Sequence, residues 1–255
     1  PNTVITINTD DFYGKRLASE LKFAKFASYG RNADAVCRII SCILDADKSI
    51  INLEFKGKEL TIQTPLTGEY NAYNVTGVAT LALSLGISPV TIATVLSKRI
   101  DIPGRLQKII THNGATVFVD YAHTDDSLEK VLKTLKPITK GKLICVFGCG
   151  GNRDRTKRPR MGAVSAKFAD LTIVTTDNPR FENPEDIISE ICAGIPANTN
   201  LIVELDRRSA LIKSLSLAGQ GDIILLAGKG HETYQEIKGV KHHFDDVEEV
   251  MNAIK

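Results

Sequence analysis

Between residues 115 and 227 the chain carries five short runs rich in β-branched and apolar residues, at 115–120, 142–148, 171–176, 200–205 and 222–227. Amphipathic stretches of helical length separate them, at 126–135, 161–169, 185–193 and 207–217. Strands spaced this way do not pair as tight hairpins. They pair side by side through helical crossovers, which gives a mostly parallel sheet with helices on both faces, so the fold class is α/β. In open sheets of this class ligands bind beyond the carboxyl ends of the strands, and chemistry is expected in the residues just after each run.

Beyond 227 the pattern reads as a strand pair, 234–237 and 241–244, around a turn at Gly239, closing the sheet with an antiparallel edge. A last helix at 247–254 follows the caps Asp245 and Asp246. The first hundred residues differ: a strand at 4–8, a helix at 11–21, β-rich alternation at 35–45, 49–55 and 59–64, then helices at 73–85 and 89–99. Pro103-Gly104 breaks that pattern and places a boundary between a domain at 1–103 and one at 104–255. A chain of 255 residues is long enough for two cores.

Thirty-two Lys and Arg stand against 30 Asp and Glu, a balance that argues against nucleic acid or a membrane surface as partner. Five cysteines, at 37, 42, 145, 149 and 192, form no Cys-x-x-Cys pair and fit reduced thiols. No apolar run nears the roughly 20 residues needed to span a bilayer, and no signal-like core opens the chain, so a cytoplasmic location is expected. Pro1, with strand-like residues within three positions, is expected to open an excerpt of a longer protein.

Asp177-Asn178-Pro179-Arg180 ends the third run and brings a carboxylate, an amide and a guanidinium together, with Pro179 enforcing a sharp exit. Such a cluster suits a zwitterion. After the second run, residues 147–161 combine glycines with five basic side chains, which suits an anion near backbone N–H groups or, equally, a crowded turn with solvated charges. The segment lacks the third glycine of a dinucleotide fingerprint, and no Gly-Lys pair in the chain has the glycine a Walker A motif needs. After the first run, Asp120 offers a partner for a ribose hydroxyl and His123 a polar contact, although a lone histidine is more often structural. After the last run, Gly228 and Gly230 leave room for a ligand and Glu232 can receive an ammonium, or the segment is a plain glycine turn. Asn71 and Asn74, three apart at a helix start, suit the edge of a heterocycle, while Asn71 also reads as a helix cap.

In order and spacing, Asn8-x-Asp10-Asp11-x-x-Gly14, Tyr70-Asn71-x-Tyr73-Asn74, Pro103-Gly104-Arg105, Val119-Asp120-Tyr121-Ala122-His123-Thr124, Gly148-Cys149-Gly150-Gly151, the Asp177 tetrapeptide and Gly228-Lys229-Gly230-His231-Glu232 resemble the Mur ligases of peptidoglycan synthesis, in particular the diaminopimelate-adding branch. The resemblance covers almost the whole chain. It implies a Rossmann-like C-terminal domain, preceded by the second part of an α/β ATP-binding central domain. It also implies an ATP- and Mg²⁺-dependent ligase that adds meso-diaminopimelate to UDP-N-acetylmuramoyl-L-alanyl-D-glutamate through an acyl phosphate. By the same resemblance Asn71, Asn74, Arg105, Asp120 and His123 contact ATP, while Arg153, Asp177, Asn178, Pro179, Arg180, Gly228 and Glu232 form the amino-acid pocket. Arg180 and Arg153 would hold the distal carboxylate, and Glu232 and Asp177 the distal ammonium. Lysine, which lacks that carboxylate, would leave Arg180 without a partner. Catalytic residues are not assigned: the family's P-loop and carbamylated lysine are expected before residue 1, in the missing N-terminal part of the same enzyme, and these 255 residues alone are expected to be inactive. Two departures stand out, Asp125 where the family has proline and Asn152 where it has aspartate. A lysine-adding relative, a folylpolyglutamate synthetase-like ligase and a non-catalytic binding module are the competing readings.

Overall fold

The computed structural model describes residues 3–21, 26–45, 48–98 and 102–255. The chain divides into two compact units, residues 1–100 and 101–255.

The first unit is built on five strands that lie in sequence order: β1 (Ile5–Asn8), β2 (Phe26–Gly30), β3 (Cys37–Leu44), β4 (Ser49–Phe55) and β5 (Lys58–Thr64). β1, β2 and β3 run parallel, while β3, β4 and β5 form an antiparallel meander. Helix α1 (Phe12–Glu20) follows β1 and is capped by Asp11, whose carboxylate accepts from the Gly14 N–H. Helices α2 (Glu69–Ser84) and α3 (Pro89–Leu96) follow the sheet. Ile51, Leu53 and Ile62 alternate along β4 and β5 and pack with Ala72, Val75 and Ala79 of α2 and with Ile92 and Leu96 of α3. Two expectations change here. β2 is absent from the sequence prediction because Ser28, Tyr29 and Gly30 dilute its apolar signal. Helix α2 begins four residues earlier than the expected 73, because Gly68 at φ 99°, a left-handed backbone that glycine takes without strain, turns the chain into it. The expected helix end at Arg99 lies outside the described residues. The Asp10 carboxylate accepts from the Arg31 N–H (2.6 Å) and the Tyr73 hydroxyl (2.7 Å), which ties the end of β1 to the β2–β3 turn and to α2.

In the second unit six strands lie in the order β10 (Leu201–Val203), β9 (Leu171–Val174), β8 (Leu143–Phe147), β11 (Ile223–Ala227), β7 (Thr116–Asp120) and β6 (Gln107–Ile110). All pairs are parallel except β6 with β7. The crossovers are α4 (Asp125–Leu135), α5 (Lys157–Phe168), α6 (Pro184–Cys192) and α7 (Arg207–Leu217). Val117, Val119, Ile144, Val146, Ile173, Ile224 and Leu226 join Ala210 and Leu211 of α7 in one core cluster. Phe118, Cys145, Phe147 and Leu225 have the opposite parity and are equally buried, so both faces of the sheet are covered. The antiparallel edge is β6, not the C-terminal pair. β12 (Tyr234–Ile237) and β13 (Val240–His243) form a separate two-stranded hairpin, because β12 docks on the loop after β9 through a bridge between Arg180 and Ile237. Helix α5 starts at Lys157 rather than 161, since Pro159 falls in a first turn whose N–H groups need no helical partner. The chain ends in α8 (Asp246–Ala253), capped by Asp245.

Candidate functional site

A cleft of about 490 Å³ opens in the second unit where β7, β8, β9 and β11 end. It lies where the strand order reverses, since β8, β9 and β10 advance to one edge and β11 returns between β8 and β7. Its wall carries Tyr121 and His123 after β7, Gly148 to Asp154 in part after β8, Asp177, Asn178 and Arg180 after β9, and Gly228 and Glu232 after β11.

Asn178 is the hub of the turn after β9 and is only 2% exposed. Its amide donates to Glu232 Oε2 at 2.8 Å, and its Oδ1 accepts from Lys229 Nζ at 3.2 Å and from the Glu236 N–H at 2.9 Å. The β12 hairpin is pinned to the same turn, with Gln235 Nε2 donating to the Asp177 carbonyl at 2.8 Å. Lys229 is fully buried between two glycines and donates to the Tyr234 carbonyl at 2.6 Å. Burial pulls its pKa down, and the nearby Asp177 carboxylate opposes that without cancelling it. Asp177 Oδ1 is buried and lies 3.4 Å from Lys229 Nζ, an ion-pair distance, yet accepts no hydrogen bond.

Arg180 takes a left-handed backbone, φ 52°, fixed by its N–H donating to the Glu236 carbonyl at 3.0 Å and its own carbonyl accepting from Lys238 at 2.6 Å. Its Nη1 donates to the Gly151 carbonyl at 2.9 Å, and its Nε lies 3.3 Å from Glu236 Oε2. The expectation that lysine would leave this guanidinium without a partner is therefore corrected: Glu236 already pairs it. Arg153 is exposed on the cleft wall, and no carboxylate among the described residues is bonded to it. Pro179 is buried in the turn, and its neighbour's carbonyl, that of Asn178, accepts from the Gly151 N–H at 2.8 Å. Gly228 sits at φ 109° and donates its N–H to the Asp120 carbonyl at 3.1 Å.

The basic side chains of 153–160 divide. Arg158 is buried and donates to Glu182 at 2.8 and 3.0 Å and to Glu190 at 2.9 Å, Arg160 pairs with Asp125 at 2.8 Å, and Arg155 pairs with Glu190. Only Arg153 and Lys157 of the five line the cleft, so of the two readings left open for this segment anion binding is confined to those two, and the other three are paired with carboxylates. Arg158 holds the Glu182 carboxyl down at about 2, and Glu182 in turn accepts the Asn152 N–H. Asn152 itself stands at φ 53°, which asparagine tolerates, and accepts the Phe181 N–H at 3.1 Å.

The residues expected to contact a nucleotide are less uniform. Asp120 is 4% exposed, with one oxygen accepting from Leu106 N–H at 2.8 Å and the other from Ala122 N–H at 2.9 Å. Burial raises its carboxyl above the usual range despite those donors. It clamps the end of β7, each oxygen already accepting one backbone N–H. His123 is exposed, its Nδ1 is 2.9 Å from the Tyr121 carbonyl, and its ring packs on Tyr121; the Arg105 guanidinium covers the same ring. In the first unit Asn71 is not a cap, because Gly68 holds that position. It lies inside α2, donates to the Thr67 carbonyl at 2.8 Å, and accepts from Asn74 at 3.3 Å. Asn74 is exposed.

Lys229, Glu236, Arg158 and Glu182 were not singled out as site residues. Lys229 had a local signal, a cation between two glycines directly after an all-apolar strand. Glu236 had none, because its partner lies 56 positions away and is reached only through the hairpin.

The Mur ligase middle-domain model matches residues 1–82, and the Mur ligase glutamate-ligase-domain model matches residues 104–230. The chain belongs to the Mur ligases. A UDP-N-acetylmuramoyl-L-alanyl-D-glutamate–2,6-diaminopimelate ligase of Aquifex aeolicus is 46% identical over 248 residues, which is 97% of this chain and 50% of that protein. A solved structure of a ligase of the same name is 37% identical with a TM-score of 0.71, covering 99% of this chain and 53% of that one. A folylpolyglutamate synthase of Mycobacterium tuberculosis solved with ADP shares the fold alone, at 20% identity, a TM-score of 0.69, and coverage of 89% of this chain and 52% of that one. The chain spans about half the length of the curated relatives it matches. Of the two departures from the Mur ligase pattern, Asn152 keeps its turn as described, and Asp125 opens α4 beside the capping Thr124. Among the described residues no helix is long and apolar enough to cross a membrane, and no three metal-binding side chains are grouped to hold an ion.

Proposed function

We propose that the full-length protein is an ATP-dependent amide ligase that adds meso-diaminopimelate to UDP-N-acetylmuramoyl-L-alanyl-D-glutamate in the cytoplasm, through an acyl phosphate on the D-glutamate carboxylate. Residues 1–103 are the later part of its ATP-binding domain, and residues 104–255 its amino-acid-binding domain. The cleft takes the far end of diaminopimelate. Arg180 and Arg153 receive the distal carboxylate, Asp177 and Glu232 the distal ammonium, Asn178 and Pro179 hold the turn, and Gly228 leaves its wall open.

The observation that carries this reading is Asp177 Oδ1, a buried acceptor that faces Lys229 Nζ at 3.4 Å but accepts no hydrogen bond, in a cleft that also carries two guanidinium groups. Leaving such an atom unsatisfied costs about 1–3 kcal/mol, which a ligand ammonium would recover. A zwitterionic end group matches both charges at once.

ATP with Mg²⁺, when bound, supplies the phosphoryl group that activates the acceptor carboxylate. Asn74, exposed at the start of α2, and Arg105 and His123, both exposed and packed on Tyr121, fit a nucleotide. Asn71 and Asp120, both buried, hold local backbone through their side chains.

Arg180→Ala in the full-length protein is expected to lower kcat/KM for meso-diaminopimelate by about 2–5 kcal/mol while leaving KM for ATP unchanged. An unchanged kcat/KM would remove Arg180 from the pocket.

A further inference from the structure

We infer that Glu236 is a tethered carboxylate that competes with the ligand for Arg180, and so sets how strongly the cleft prefers an amino acid carrying a carboxylate at its far end. The inference rests on the proposal that Arg180 receives that carboxylate.

Three consecutive residues of β12 are fastened to the cleft. The Tyr234 carbonyl accepts from Lys229 at 2.6 Å, the Gln235 side chain donates to the Asp177 carbonyl at 2.8 Å, and the Glu236 N–H donates to Asn178 Oδ1 at 2.9 Å. The Glu236 carbonyl also accepts from the Arg180 N–H at 3.0 Å. With its backbone fixed, Glu236 keeps its side chain beside Arg180, Oε2 to Nε at 3.3 Å, both side chains about one-fifth exposed at 21% and 18%. Arg180 Nη1 is held by the Gly151 carbonyl at 2.9 Å, so the guanidinium cannot swing away from its neighbour without losing a second bond.

A carboxylate arriving at Arg180 therefore meets a guanidinium already partly neutralised and a negative charge beside it. The end of lysine brings no carboxylate to this place, so the Glu236 charge does not oppose it. Glu236 weakens binding of a dicarboxylate amino acid and narrows the gap between diaminopimelate and lysine, a tuning that the Asp177 tetrapeptide alone would not provide.

Glu236→Gln keeps the size and the backbone bonds and removes the charge. In the full-length protein it is expected to lower KM for meso-diaminopimelate by about 1.5- to fivefold, the range for a partly exposed ion pair. It should raise the preference for diaminopimelate over lysine by a similar factor, with kcat and KM for ATP unchanged. Glu236→Asp, whose shorter side chain draws the charge back, should fall between. An unchanged or higher KM for diaminopimelate in both variants overturns the inference. Arg180→Ala, measured alongside, separates the two levels. If it raises KM for diaminopimelate while Glu236→Gln does not lower it, the competition is wrong and the pocket stands; if it has no effect, the pocket assignment fails and the inference with it.

Discussion

Arg207 and Asp246 are both 1% exposed by side chain and bonded at 2.9 and 2.8 Å, with a further bond from Arg207 to the Ala227 carbonyl at 3.1 Å. Together they tie the first turns of α7 and α8 to the end of β11, next to the cleft. Burial alone would pull the Arg207 pKa down, but the Asp246 carboxylate more than reverses it. Removing one partner leaves an uncompensated buried charge, so Asp246→Ala is expected to lower unfolding stability by about 3–5 kcal/mol in urea titrations. Loss of less than about 1 kcal/mol would mean the guanidinium finds water or another acceptor. At this scale the sequence marked residues of the cleft wall better than the residues that support them. The Asp177 tetrapeptide was legible because a proline and three polar groups after an apolar strand have few structural uses. The burial of Arg207 and Arg158 was not legible, because nothing local shows that each is enclosed by carboxylates brought from 24 to 39 positions away.

The loop between β8 and α5 depends on an element-scale clamp. Arg158 on α5 holds Glu182, and Glu182 holds the Asn152 N–H, while Asn152 returns a bond to Phe181. The Glu182 carboxyl titrates near 4.5 when unpaired and about 2 when folded. A depressed folded value means the carboxylate contributes stability that is present above about pH 4.5 and lost as pH falls toward 2. Glu182→Gln should therefore lower Tm at pH 7 and flatten the fall of Tm between pH 4.5 and 2.5, as read by thermal scans across that range. A parallel fall in both proteins would place the acid sensitivity elsewhere. The crossover helices and central strands were readable from periodicity, since each run is buried on both faces and bounded by polar turns. β2 and β6 were not readable, being four or five residues long with polar residues breaking the apolar pattern. The hairpin was found, but its docking was misplaced, because the bonds that fasten it run to Asp177, Asn178 and Arg180 rather than to a strand of the sheet.

At the scale of the whole molecule, the second unit gathers loops from four strand ends into one cleft, and its wall carries the Asp177 carboxylate, a paired arginine and an exposed one, with the buried Lys229 behind it. Fold class was legible from the alternation of strand-like and helical runs, and family because seven motifs keep their order over nearly the entire chain. Electrostatic detail was not, because Lys229 and Glu236 gain their roles only when the hairpin closes on the turn after β9. That detail changes the expected selectivity: on the proposed pocket, Glu236 would keep Arg180 paired beside lysine, and discrimination should be smaller than an orphaned guanidinium would impose. The measurement that bears most directly on the cleft as a reader of a far-end zwitterion is kcat/KM of the full-length protein for meso-diaminopimelate and for L-lysine, side by side. Preference for meso-diaminopimelate by at least about tenfold, roughly one charge-assisted hydrogen bond, is predicted; equal values, or a preference for lysine, would contradict it.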